Sequence, residues 1–165
     1  MKEDGMASDA FKNLIGRRSK PVVYEVDRSG IRKIADAAGD RNPLYWDGEY
    51  AARSRYGGII APPDFFGWPV KWAPDQTFIN INEVFVEMAI EMARAGYFRA
   101  INAGMETEYF SPIRPGDTLV LTSEIVAIEE KEGKKGGKMM ISTVETTVIN
   151  QNGDIVAKQR QSSIH

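Results

Sequence analysis

The strongest constraint on how this chain can fold lies in its C-terminal part, from Ala103 onward. Residues 118–128 alternate, with Leu119, Leu121, Ser123 and Ile125 on one side. Residues 138–149 repeat the habit after a glycine-rich turn. Residues 155–164 follow Gln151-Asn152-Gly153-Asp154, a hairpin signal, and a shorter strand starts at Met105. A side-chain period of two broken by tight turns means antiparallel strands, and such a sheet has an apolar face that must be covered. Residues 82–95 supply a cover. Val84, Phe85, Met88, Ala89 and Met92 share one helical face, and Glu83, Glu87, Glu91 and Arg94 mark the other. A curved sheet around a helix is an α+β architecture by layer logic. The Met and Phe stripe suits a core, a dimer contact or the lining of an apolar tunnel.

A chain of 165 residues is most simply one domain with a sizeable core, here residues 11–165 behind a polar, loose arm at 1–10. Hydrophobic residues make up 42% and charged residues 27%, the balance of a soluble globular protein. The net charge is −2, and the lysines of residues 131–138 are interleaved with glutamate and glycine, as in a solvated hairpin loop. Nucleic acid is therefore not an expected partner. No apolar run reaches the ~18 residues of a membrane span, and the first ten residues lack an apolar signal core. A cytoplasmic protein is expected. There are no cysteines, which removes disulfides, thiolate metal sites and cysteine nucleophiles. The single histidine is His165, the last residue, so no histidine dyad, triad or metal cluster can be built in the body of the chain. Neither a metal nor a cofactor is expected.

Residues 22–26 read as a first strand. Asp27 or Ser29 can cap the helix that follows, which places Ile31, Ile34, Ala35 and Ala38 on one face. Gly39 suits the left-handed residue that ends a helix. Asp40 and Asn42 are turn formers, and Pro43 forces Asn42 out of the helical region. A second helical turn lies near residues 48–54. Gly57-Gly58 then releases an apolar run that stops at Pro62-Pro63. The plain account is a helix stop and an Asx turn; the density of backbone constraints also suits a loop shaped to hold something.

The strings themselves add a resemblance. Gly39-Asp40-Arg41-Asn42-Pro43-Leu44, Asp47, and Tyr56-Gly57-Gly58-Ile59-Ile60-Ala61 resemble the MaoC-like family of (R)-specific enoyl-CoA hydratases and 3-hydroxyacyl dehydratases. So do Gly104-Met105-Glu106, Tyr109-Phe110-Ser111-Pro112 and Arg114-Pro115-Gly116-Asp117-Thr118-Leu119. The Ala61-Pro62-Pro63 ending is similar to the family's N-terminal-type dehydratase domain. The resemblance implies a single hot-dog fold, a curved antiparallel sheet wrapped around a central helix that begins near Pro63. Pro69 and Pro74 would keep that helix short.

Hydrating an α,β-unsaturated thioester takes a base for water, an acid for Cα and donors for the enolate-like oxygen. The resemblance assigns the proton work to an aspartate and a histidine five residues later, and the donor to a glycine amide at the helix start. Carried over, the aspartate is Asp40 and the asparagine beside it is Asn42. The histidine position is Tyr45, and the His-Gly pair becomes Pro62-Pro63. A phenol titrates near 10, and proline has no N–H. Losing one oxyanion donor costs about a hundredfold or more in rate. Asp40 and a degenerate Tyr45 are thus the candidate catalytic residues. Asn42, Pro62, Pro63, Phe65 and Phe66 are the candidate substrate-binding residues, with Trp68 and Trp72 as further bulky walls.

Since MaoC-like dehydratases often work as two hot dogs side by side, the resemblance implies a pocket-shaping subunit of a heteromer with a catalytic MaoC-like chain, acting on an acyl-CoA or enoyl-CoA thioester. Two other readings stay open. One is a homodimeric hydratase or thioesterase using Asp40 with Tyr45, Asp47 or Glu49; the other is a non-enzymatic acyl-CoA binding module.

Overall fold

The alternating C-terminal segments form one antiparallel sheet. The computed structural model describes residues 9–63, 65, 83–133 and 137–165. Helix α1 (Asp9–Lys12) leads to strand β1 (Val22–Glu25). Three helices follow, α2 (Arg28–Ala37), α3 (Pro43–Trp46) and α4 (Gly48–Arg53), and then α5 (Glu83–Arg94). Strands β2 (Ile101–Tyr109), β3 (Thr118–Glu132), β4 (Lys138–Ile149) and β5 (Ile155–Ile164) complete the chain. The curved sheet has the order β1-β3-β4-β5-β2, with every neighbour antiparallel. This is the α+β hot-dog architecture. The expected helix start at Pro63 runs into residue 64 and residues 66–82, outside the described residues, as do Phe66, Trp68, Pro69, Trp72 and Pro74. Most of the expected N-terminal arm lies outside them too, and α1 begins at Asp9.

Strand β3 runs beyond its apolar pattern. β3 continues to Glu132 because its charged end still pairs, Glu130 with Met140 and Glu132 with Lys138; backbone pairing does not require burial. A bulge between Ile125 and Ala127 shifts the phase. Ile125 and Ile128 therefore both face inward, at 0% and 3% exposure, while Val126 points out. The sequence alternation carries no mark of that extra residue.

The inner face of the sheet holds two apolar clusters. In one, Leu119, Val148, Val156 and Ala157 pack with Ile31 and Ala35 of α2, Tyr45, Ile60 and Phe65. In the other, Ile125, Ile128, Met140 and Val144 pack with Val84, Met88 and Met92 of α5 and with Phe11 and Leu14. The buried stripe of α5 is narrower than its composition implies, since Ala89 is exposed and Phe85 half-buried. Between the clusters runs a row of hydroxyls. Ser123 Oγ and Thr146 Oγ1 lie 2.7 Å apart, and the Ser123 amide donates to Ser19 Oγ at 3.1 Å. By register Ser123 stands opposite Thr146, and Thr146 opposite Gln159.

The chain's last residue is held in the sheet rather than frayed. His165 exchanges two backbone hydrogen bonds with Met140, at 2.8 and 3.1 Å, and its Nε2 lies 2.9 Å from Ser142 Oγ. Burial holds its imidazole below the usual histidine range.

Candidate functional site

Asp40 is delivered by the way α2 starts and stops. The Asp27 carboxylate caps the helix, accepting from the Gly30 amide at 2.8 Å and from Ser29 Oγ. Those two bonds hold its carboxyl below the usual range. At the other end Gly39 takes φ 67°. Its amide donates to Asp36 O at 3.0 Å and the Asp40 amide to Ala35 O at 2.8 Å. This is a Schellman stop, with Gly39 the left-handed residue and Asp40 the one after it.

The next bonds run residue to residue. Asp40 Oδ1 accepts from the Asn42 amide at 2.9 Å, closing an Asx turn. Asn42 Oδ1 accepts from the Leu44 amide at 3.1 Å and so caps α3, where Pro43 sits in the first turn. The Trp46 indole N–H donates to Asp40 O at 2.9 Å, and the Arg41 guanidinium lies 5.5 Å from the Trp46 ring centroid. Asp47 caps α4 through the Glu49 and Tyr50 amides at 2.9 and 3.0 Å. The carboxylate of Asp47 is thus engaged in helix capping, and Glu49 is exposed. The helical turn α3 is absent from the sequence reading. Its four residues have no periodicity, and only the Asn42 cap and Pro43 specify it.

Tyr45 projects from α3 into the first apolar cluster and is 6% exposed. Its hydroxyl hydrogen-bonds with the Asn42 side chain and lies within electrostatic reach of the Asp40 carboxylate and of Tyr56. Burial, and then the Asp40 charge, push the phenol above the usual range; the Asn42 bond acts in the opposite sense. Asp40, Asn42 and Tyr45, the three residues selected from the motif, are therefore gathered in one place. Pro62 is buried and Pro63 exposed. Phe65 is fully buried, its ring edge-on to Tyr24 at 5.7 Å between centroids.

Residues with no role assigned from the sequence frame the same spot. The turn at residues 56–61 is tied down at both ends by neighbouring residues. Arg114 Nη2 donates to Tyr56 O at 2.5 Å, and the Ala61 amide to Ile113 O at 2.8 Å. Arg114 is in turn placed by its own amide, bonded to Asp117 Oδ2 at 2.7 Å. Gly116 and Asp117 exchange backbone bonds with Val26 at the end of β1. The second motif is thus a clamp that fastens the first. Arg55 donates to the Tyr56 hydroxyl at 2.5 Å, and its guanidinium carbon sits 4.7 Å from the Tyr56 ring centroid. The only sequence signal for this was the position of Tyr56 directly before Gly57-Gly58.

No group of histidine, cysteine, aspartate or glutamate able to hold a metal occurs among the described residues, and no helix among them is long and apolar enough to cross a membrane. A groove of about 400 Å³ lies between Asn13, Leu14, Arg17 and the outer side of α5, and no residue of the Asp40 loop lines it.

Residues 13–159 match the family model described as FAS1-like, dehydratase domain region. A UPF0336 protein of Streptomyces coelicolor is 34% identical over 125 residues, covering 74% of this chain and 75% of that one. Among solved structures, the ChsH1-ChsH2 complex from Mycobacterium tuberculosis aligns with a TM-score of 0.80 at 20% identity, over 94% of this chain and 88% of that one. The C-terminally truncated HadBC (3R-hydroxyacyl-ACP dehydratase) complex from the same organism aligns with a TM-score of 0.63 at 18% identity, over 92% and 97%. At those identities the two likenesses speak for the fold.

Proposed function

This chain belongs to the MaoC-like dehydratase family, through the FAS1-like dehydratase domain region that spans residues 13–159, and from that premise we propose that it is the pocket-shaping subunit of a heteromeric (R)-specific hydratase acting on acyl-CoA thioesters. The observation that carries this reading is the state of Tyr45. A group that takes a proton from water near neutral pH must release its own proton near that pH. Tyr45 is buried beside a carboxylate, and both conditions hold its proton in place. Pro62-Pro63 offers no amide for a thioester oxygen. The histidine that would carry a proton and the glycine amide that would hold the oxygen are thus both replaced, while Asp40 and the caps and clamps of its loop are kept. A partner chain with aspartate and histidine intact would supply the proton transfers, and this chain the walls. Two structures that share the fold are named as complexes of two chains, which supports a heteromer.

The test is co-expression with a MaoC-like chain that carries the histidine, followed by hydration assays on a panel of trans-2-enoyl-CoAs. The expected result is little turnover by this chain alone and an ordinary enzyme rate, about 10 per second, for the complex. Turnover at that rate by this chain alone would show that Asp40 works without a partner. Thioester binding without turnover by any pairing would reduce the protein to a binding module.

A further inference from the structure

Among the described residues, Tyr56 is a polar group within electrostatic reach of Tyr45 for which the pocket-shaping role has no use. Its ring is half-buried and packs on the first apolar cluster. Its backbone is fixed on both sides: the amide donates to Ser54 Oγ at 3.1 Å and the carbonyl accepts from Arg114. Its hydroxyl oxygen accepts a guanidinium N–H from Arg55 at 2.5 Å. A phenol whose oxygen already accepts from a cation is a stronger donor through its own O–H, because consecutive hydrogen bonds polarise one another. Such a donor on a clamped turn is preorganised toward an oxygen.

We propose that Tyr56 makes the Asp40 loop a thioester-holding site in its own right, its hydroxyl donating to the acyl carbonyl oxygen. This rests on the thioester reading above. Asp40 provides the complementary half. One carboxylate oxygen accepts the Asn42 amide, and the side chain is only half-buried, so its other oxygen can accept an N–H. An acyl-CoA arm carries both kinds of group, a carbonyl acceptor at the thioester and amide donors along the pantetheine. With Tyr45 in place of the family's histidine, its phenol held protonated by burial and then by the Asp40 charge, the site lacks the second proton carrier that hydration needs, so a thioester bound there is held and not hydrated. A heteromer would then carry two thioester sites, one that reacts and one that holds.

The discriminating measurement is calorimetric titration of the full chain with butyryl-CoA and decanoyl-CoA, which are saturated and cannot be hydrated. Each is set against its S-alkyl thioether, which lacks only the carbonyl oxygen. The expected result is about tenfold tighter binding of thioester than thioether, one hydrogen bond's worth. Tyr56→Phe should abolish the difference and Arg55→Gln reduce it, with melting temperatures unchanged. Equal affinity in the unmodified protein, a preference that survives Tyr56→Phe, or no binding of either thioester would overturn the proposal. The subunit reading is judged separately, by hydratase activity of the complex.

Discussion

Tyr45 occupies the position to which the family resemblance assigns a proton carrier, and burial, then the Asp40 charge, hold its phenol protonated beyond the usual range. Replacing it with histidine alone should leave hydration of trans-2-enoyl-CoA by the isolated chain far below an ordinary enzyme rate, since Pro63 still has no amide to offer; steady-state rates for Tyr45→His measure this. Full activity from that single change would mean that the amide is dispensable. The phenol also predicts a pH effect. The folded state keeps Tyr45 protonated beyond its usual range, so the stability tied to it is intact below the unfolded value of about 10 and is lost as pH rises through the folded-state value. Tyr24, raised by burial and by the Asp27 charge, acts in the same direction. Tyr45→Phe should therefore flatten the fall of melting temperature between pH 9 and pH 11, roughly the interval that brackets a phenol. Asp40, Asn42 and Tyr45 were legible because a contiguous motif sets their turns and caps. Arg114 was not legible as a clamp, because its contact with Tyr56 joins residues 58 apart in sequence.

The elements differ in how plainly the sequence announces them. α2 was readable at both ends, from Asp27 and Gly39, and its stop sets the height of Asp40. A Cβ at Gly39 would meet nothing within 4 Å, so the cost of Gly39→Ala comes from its φ of 67° alone. That substitution should destabilise the protein by about 1–2 kcal/mol, measured by urea denaturation. A loss below a few tenths would mean that the stop relaxes without strain. The long strands were readable because period two is a direct record of which side is buried. The bounds of β4 and β5 were readable as well; the far end of β3 at Glu132, the start of β2 at Ile101 and the bulge at Val126 were not, since the partner strand fixes them. α3 sits between these cases: Asn42 and Pro43 were recognised as turn formers, and the helical turn they begin was not.

At the scale of the whole molecule, β2 is an edge strand of the sheet among the described residues and carries exposed apolar side chains, Ile101 at 67%, Met105 at 50% and Tyr109 at 44%. Edges of this kind invite pairing, and an isologous contact uses the same strand twice. In the absence of a partner the chain should sediment as a dimer at micromolar concentration; a clean monomer there would count against this.

The seam of hydroxyls from Ser19 to Thr146 has a consequence of another sort. Among the described residues it lies between two apolar clusters, one packed with the Asp40 loop and one with α5. Among the described residues Ile31 and Met92 share no packing partner, so Ile31→Val and Met92→Ala should add independently, to within about 0.5 kcal/mol in a double-mutant cycle. If they do, the cluster that packs with the Asp40 loop is free to drift. Over generations one lineage could repack it while the cluster that holds α5 stays untouched, which gives this architecture a route to diversity without loss of foldability.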